Sequence, residues 1–251
     1  MKTGTFINKR LEETQVIDLL IENSICQYGS LNYFYNVTNV PRKDDLKFDR
    51  YYITKEILRQ EIGLAPGQKP GDIDILIIPA SGDKIFFEFS SAFELKVVRP
   101  TNKDYRKNSN SLGTTQTLGL IKDGFPLVGL IQVCMNEPIN PVHLQYLPNF
   151  ENVSEIFTFD PFPIYSVETQ YKRVLKTDLP KYVGINIFGL SFTQEFIMVT
   201  QHSMKFTGFQ EGYFNPNTKQ STIKSIENHF KQHRELYIEK VNTPTSQNIR
   251  D

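Results

Sequence analysis

Two short runs of residues constrain the fold of this chain most strongly, because they are typical of neighbouring strands in one sheet. The first is GDIDILII at residues 71–78, in which the apolar residues continue without a break after Asp74. The second is FELK at residues 93–96, within a segment 84–98 that returns after the turn-forming stretch PASGD. Continuous apolar runs of this length indicate buried strands, and Pro, Gly and Asp indicate the turn. The sequence therefore predicts a strand pair inside an α/β sheet.

The polar residues of these two strands fall where they can meet. Because side chains alternate along a strand, Glu94 and Lys96 share one face, about 6.6 Å apart. If the strands pair as a hairpin, Asp74 comes close to both. Carboxylates bind Mg²⁺ and an ammonium group stabilises negative charge on a phosphate. The three residues together suit metal-dependent cleavage of a phosphodiester.

An Asp on one strand followed by Glu-x-Lys on the next resembles the pattern of the PD-(D/E)XK phosphodiesterase superfamily, the restriction-endonuclease-like nucleases. The residues GDIDILII and FELKVVR are especially similar to its Holliday-junction-resolvase-like branch. That branch continues with a helix carrying a glutamine and another core strand, for which this chain offers Gln116 and the apolar residues 127–135. The resemblance covers residues 50–136. It implies an α/β restriction-endonuclease-like core with a central mixed sheet flanked by helices, here followed by a C-terminal α+β extension.

The spacing leaves the main glutamate open. Asp74 and Glu94 are twenty residues apart, which is long for a tight hairpin, and Glu88 lies nearer the usual distance. Glu88 is followed by Ser90 where the pattern requires lysine. In an unbroken strand Glu88 and Glu94 would share a face, whereas a bulge near Ser90 would change the register. Glu94 with Lys96 is the preferred assignment, and Glu88 is an accessory candidate.

The resemblance implies roles for these residues and for several neighbours. Asp74 and Glu94 would be the ligands of Mg²⁺ or Mn²⁺, which polarises the phosphoryl oxygen and activates a water. Lys96 would orient that water and stabilise the transition state, and Gln116 would position a phosphate or the lysine. The segment from Thr54 to Glu61 is predicted to be a short amphipathic helix. The additional candidates, each of which has an ordinary solvated role as its alternative, are Asp72 on the strand and Glu56 or Glu61 as a helix-borne acid.

The charge of the whole chain gives no sign of a nucleic-acid partner, because 28 basic residues balance 28 acidic ones. A nuclease would need a local basic patch, and the segment after Lys96 supplies one. An ordinary solvated loop explains that segment equally well. The candidates for contact with the phosphates of DNA are Arg99, Lys103, Arg106 and Lys107.

The chain is expected to divide near residue 136, where a stretch with three prolines begins. Residues 1–136 would form the nuclease-like core with N-terminal helices, including a helix at 11–27. Residues 137–251 would form the α+β extension, within the same domain or as a small second one, with strands at 156–160 and 182–200 and a helix from Thr218 to Val241. Neither a secretory leader nor a membrane span is expected, and a cytoplasmic location follows by default.

Three functional interpretations remain open at this stage. The first is a metal-dependent deoxyribonuclease acting in restriction, phage defence or repair. The second is a catalytically inactive module of the same fold that binds nucleic acid or a protein partner, and a homodimer is compatible with either. The third is an unrelated α/β scaffold with structural acids, which would place Asp74 and Lys96 on different sides of the sheet.

Overall fold

A computed structural model of the chain has an α/β architecture in which helices flank a central mixed sheet. The structure describes in full residues 11–24, 48–64, 72–99, 112–135, 167–190 and 209–241, together with Phe34. It describes the backbone alone of the elements at 6–7, 26–27, 30–31, 145–148, 156–159, 162–166, 191–193 and 197–200.

The strands are numbered here in chain order. They are β1 (Phe6–Ile7), β2 (Cys26–Gln27), β3 (Ser30–Leu31), β4 (Arg50–Leu58), β5 (Asp72–Ser81), β6 (Lys84–Ile85), β7 (Ser91–Val98), β8 (Leu127–Cys134), β9 (Gln145–Pro148), β10 (Ile156–Phe159), β11 (Gly184–Thr193), β12 (Ile197–Thr200), β13 (Phe209–Gln210) and β14 (Ile238–Val241).

The helices are α1 (Glu13–Glu22), α2 (Thr114–Asp123), α3 (Phe162–Val174) and α4 (Gln220–Gln232), with 3₁₀ turns at Phe87–Phe89 and Arg234–Leu236. Within the described part of the chain, no helix is both long enough and apolar enough to cross a membrane.

Among the described residues, ten strands form the central sheet. Its main path runs β1, β11, β8, β7, β5, β4 and β14, and β6, β12 and β13 pair beside it. The neighbours β7 and β8 are parallel, as are β8 and β11, whereas β5 pairs antiparallel with both β4 and β7. This arrangement confirms the predicted α/β class and the central mixed sheet. The predicted strand pair lies in the middle of it.

The two faces of the sheet are covered by different helices. On one face, α1 packs its buried residues Val16, Ile17, Leu20 and Ile21 against odd-numbered residues of the central strands, such as Phe93 and Leu95. On the other face, α2 and α4 pack over Ala92 and Val128, and α3 packs beside them over Leu130. Because residues two apart share a face, Glu94 and Lys96 belong to the face covered by α2.

The second half of the chain adds strands to the same sheet. Strand β11 continues the parallel part next to β8, and β14 closes the opposite edge next to β4. Helix α4 shares a buried cluster with α2, through Ile226 and Phe230. Strands β11 to β14 therefore complete the sheet that carries the predicted site.

Several predicted element boundaries are wrong. Residues from Thr54 to Leu58 belong to β4 instead of a helix, because β4 pairs with β5 along its whole length and this pairing outweighs local propensity. The final helix ends at Gln232, and the chain then forms a 3₁₀ turn and β14, which pairs with β4. The strand predicted at 182–200 is a hairpin of β11 and β12, and the first helix is shorter than the predicted 11–27.

Candidate functional site

Asp74 lies where the pairing between β5 and β7 ends. The last paired residues are Ile75 and Phe93, and this register places Asp74 opposite Glu94. Instead of a further backbone hydrogen bond, the Oδ2 atom of Asp74 accepts one from the backbone N–H of Leu95, at 2.6 Å. The carboxylate is thus held at the point where the two strands separate.

Glu94 and Lys96 are joined by an ion pair on the face covered by α2. The Nζ atom of Lys96 lies 2.7 Å from Oε1 of Glu94, and the glutamate side chain is only 3% exposed. The lysine side chain is 17% exposed, so its ammonium group retains some access to solvent. The register places Asp74 opposite Glu94, and Lys96 pairs directly with Glu94, so the three side chains lie around one point of the sheet.

A third carboxylate reaches the site from α1, which covers the other face. Oε1 of Glu13 accepts a hydrogen bond from Lys96 Nζ at 3.0 Å, and Oε2 accepts one from the backbone N–H of Val97 at 3.3 Å. This contact is made beyond the end of the β5–β7 pairing, where Val97 is free to donate to a side chain. Sequence reasoning missed Glu13, whose only signal was an acid in the first turn of a predicted helix.

The site carries more negative than positive charge, and the pKa values reflect it. Burial, and then the charge of Asp74, raise the pKa of Glu94 to about 8. Burial raises the pKa of Asp74 to about 6, against the opposing effect of its hydrogen bond from Leu95. Burial alone would lower the pKa of Lys96, but Glu94 and the other acids outweigh burial and raise it. Both carboxyl groups therefore keep their protons to a higher pH than an exposed acid does.

This donor set fits a small divalent cation. Mg²⁺ characteristically uses one or two protein carboxylates, and Asp74 and Glu94 supply two at this point of the sheet. Among the described residues, no group of three or more His, Cys, Asp or Glu side chains is arranged to hold a metal ion. A metal at this point would take two oxygen ligands from Asp74 and Glu94, and its remaining positions would belong to water and phosphate.

The beginning of α2 lies directly over the ion pair. Gly113, which precedes the helix, has φ +75°, and a Cβ atom added to it would lie 3.1 Å from the Cγ atoms of both Glu94 and Lys96. Glycine is needed here for the left-handed conformation and for the close approach. Gln116 lies in the first turn of α2, half-buried, and makes no side-chain hydrogen bond to the residues that the structure describes.

The predicted helix-borne acid is not found at Glu56 or Glu61. Glu56 lies on β4, exposed and with φ +51°, where the register places it opposite Asp74, and its Oε1 accepts a hydrogen bond from the Thr14 hydroxyl. Glu61 lies in the turn after β4 and accepts a hydrogen bond from the backbone N–H of Leu58 at 3.1 Å. The acid that a helix brings to Lys96 is Glu13.

The other accessory candidates lie apart from the ion pair. Glu88 is exposed on the 3₁₀ turn that separates β6 from β7, so the unbroken strand that would align it with Glu94 does not exist. Asp72 is exposed at the start of β5, where its charge acts on buried Arg59. Arg59 pairs with Asp123 of α2.

Only one member of the predicted basic patch can be placed. The Nη2 atom of Arg99 donates a hydrogen bond to the carbonyl of Leu11, which ties the end of β7 to the start of α1. Lys103, Arg106 and Lys107 lie outside the described residues.

Comparison with known proteins identifies no relative. No protein-family model matches the chain, and neither a curated protein nor a solved structure is significantly similar to it. The candidate site is therefore defined by its residues and their geometry.

Proposed function

We propose that this protein is a metal-dependent nuclease that hydrolyses the phosphodiester bonds of DNA at Asp74, Glu94 and Lys96. The observation that carries the proposal is the meeting of a buried carboxylate, a half-buried carboxylate and a lysine at the point where β5 and β7 separate. The order of elements supports it as well. Strands β5 and β7 are followed by α2 with Gln116 and then by β8, which agrees with a restriction-endonuclease-like core.

Asp74 and Glu94 would hold Mg²⁺ or Mn²⁺. When bound, the metal would polarise the phosphoryl oxygen and offset negative charge on the leaving oxygen. The protein contributes a fixed position for both carboxylates, through the N–H of Leu95 and the ion pair with Lys96. Such preorganised charges lose little energy to rearrangement during the reaction.

Lys96 would orient the attacking water and stabilise the charge that develops on the phosphate. Its ammonium group is held from two sides, by Glu94 at 2.7 Å and by Glu13 at 3.0 Å, which restricts its position. Helix α2 begins directly after Gly113, which lies above the lysine, and the N–H groups at the start of the helix have no acceptor within it. That helix end favours an anion beside Lys96, where Gln116 would contact a backbone phosphate.

A catalytically inactive module of the same fold, binding nucleic acid or a protein partner, is the second candidate. It is favoured by the balanced charge of 28 acidic and 28 basic residues, which supplies no general attraction to DNA. In that case Lys96 would serve mainly to neutralise the two acids that contact it.

Cleavage assays with matched variants test the proposal. Wild type, Asp74→Asn, Glu94→Gln and Lys96→Met are incubated with supercoiled plasmid, linear duplex and single-stranded DNA, in Mg²⁺, Mn²⁺ or EDTA. Glu88→Gln is the control, because it removes an exposed carboxylate outside the ion pair. We expect metal-dependent cleavage that falls by about 100-fold or more in the three site variants and persists in the control.

Each other result has a distinct meaning. Binding of DNA without cleavage by the wild type, in any metal, would replace the nuclease by the inactive module. Cleavage that survives Asp74→Asn and Glu94→Gln would show that these residues are not the site. An RNA substrate in the same assay establishes whether DNA is preferred.

A further inference from the structure

A buried glutamine on β8 lies beside the proposed site and is not used by the mechanism above. Gln132 is the register partner of Lys96 on the neighbouring strand and is fully buried. The sequence of β8 is LVGLIQVC. Apart from Gln132 and Cys134, its residues are apolar or glycine, so Gln132 has the only amide side chain in the strand. A polar group in such a position needs a physical reason.

The hydrogen bonds of Gln132 do not give the folded state a clear gain in stability. Its Nε2 atom donates to the carbonyl of Leu112 at 2.9 Å, but its Oε1 atom has no hydrogen-bond partner among the described residues. An unsatisfied buried acceptor costs at least as much free energy as one ordinary hydrogen bond contributes. An apolar side chain of the same size would remove that cost but would also leave the Leu112 carbonyl without its donor, so the two effects on stability oppose each other.

The carbonyl that Gln132 holds belongs to the residue just before Gly113. As described above, Gly113 passes over Glu94 and Lys96, and the position of its absent Cβ is also 2.8 Å from Cδ1 of Leu130. Leu112 is bonded directly to Gly113. A hydrogen bond that fixes the Leu112 carbonyl therefore also fixes the distance between Gly113 and the two charged side chains. A shift of Gly113 away from the sheet would free both side chains to adopt other rotamers.

We propose that Gln132 is a positioning residue, which holds Leu112 and Gly113 against Glu94 and Lys96 and so keeps the ion pair in its reactive geometry. The inference rests on the proposed nuclease function. This role explains why a glutamine with an unsatisfied Oε1 atom occupies a buried position. Methionine, for example, cannot donate a hydrogen bond to the Leu112 carbonyl. Residues that support a site in this way commonly change activity by 10- to 100-fold.

The test compares Gln132→Met with Gln170→Met. Gln170 of α3 is a matched control, because it is also fully buried and has one unsatisfied side-chain atom, Nε2, while its Oε1 accepts a hydrogen bond from Arg173. Three quantities are measured for each variant: the urea midpoint of unfolding, hydrogen exchange of the amides of residues 113–118 in metal-free protein, and kcat and KM for DNA cleavage.

We expect Gln132→Met to unfold at a urea midpoint close to that of the wild type, to exchange the amides of residues 113–118 faster, and to lower kcat by about 10-fold or more with little change in KM. Gln170→Met should leave the exchange and kcat unchanged. A urea midpoint far below those of both the wild type and Gln170→Met, or failure to fold, would show that Gln132 is kept for stability, which overturns the proposal. Unchanged exchange, or unchanged kcat in an active enzyme, also overturns it. A wild type without activity would instead refute the nuclease on which the inference rests.

Discussion

Neutralising Glu94 should change how the stability of the protein depends on pH. The pKa of this buried carboxyl is raised from 4.5 to about 8, by burial first and then by the charge of Asp74. As the pH rises from 4.5, the unfolded chain loses the proton of this group while the folded protein retains it. The folded state then binds more protons than the unfolded state, so its stability falls with pH until about pH 8.

The magnitude follows from the width of that interval. Each pH unit over which only the unfolded state is ionised costs about 1.4 kcal/mol. Between about pH 6 and 8 the folded protein should lose roughly 2 kcal/mol of its free energy of unfolding through Glu94. The comparison begins at about pH 6 because the pKa of Asp74 is raised to about 6, so below that pH the ionisation of Asp74 also changes the stability. Glu94→Gln has nearly the same shape and no proton to lose, and Lys96 retains Glu13 as an ion-pair partner.

The assay is urea unfolding of metal-free protein in EDTA, at intervals between about pH 6 and 8, for wild type and Glu94→Gln. Burial lowers the pKa of His229 and so gives a slope of opposite sign, but this contribution is common to both proteins. The difference between the two profiles should grow by about 2 kcal/mol across the range in favour of the variant. Glu88→Gln should follow the wild type. Parallel profiles for wild type and Glu94→Gln would refute the prediction that folded Glu94 keeps its proton up to about pH 8.

Other predictions concern the residues around the site. Gly113→Ala places a methyl group at φ +75° and against side chains 2.8 and 3.1 Å away, and should lower the free energy of unfolding in urea by about 1–3 kcal/mol. Arg59→Met leaves the largely buried carboxylate of Asp123 unpaired and should cost about 3–5 kcal/mol in the same assay. Adding Asp123→Asn should recover at least half of that loss, and a purely additive double variant would contradict the pairing. Glu13→Gln keeps a hydrogen-bond acceptor for Lys96 but removes the negative charge. We expect kcat for DNA cleavage to fall by about 10-fold or less in this variant, compared with near-complete loss in Glu94→Gln. Equal losses of kcat in the two variants would make Glu13 an essential ligand.

The strand pair was predictable because its signals are local. The apolar run after Asp74, the turn that follows, and the two-residue spacing of Glu94 and Lys96 all lie within 25 residues of sequence. Strand periodicity then places the lysine beside the glutamate without further information. Gly82 and Asp83 make the turn, as predicted, whereas Pro79 to Ser81 of the predicted turn belong to β5, and the 3₁₀ turn at Phe87–Phe89 was not predicted.

The rest of the site could not be predicted because it depends on tertiary contacts. Glu13 meets Lys96 across a separation of 83 residues, and nothing in the sequence around Glu13 indicates which strand its helix covers. Gln132 lies in a run that predicts only an apolar buried strand, and its importance depends on the position of Leu112. Pairing with β4 likewise converts the end of the predicted last helix into β14, which local propensity cannot show.

The central claim is tested most directly by measuring the binding of Mn²⁺ to metal-free protein near pH 8. Electron paramagnetic resonance detects the Mn²⁺ that remains free. The account predicts a site that is lost in both Asp74→Asn and Glu94→Gln and retained in Glu88→Gln, since only the first two remove a carboxylate from the point where β5 and β7 separate. Absence of binding by the wild type, or binding that both site variants retain, would contradict the assignment of Asp74 and Glu94 as the ligands of a catalytic metal.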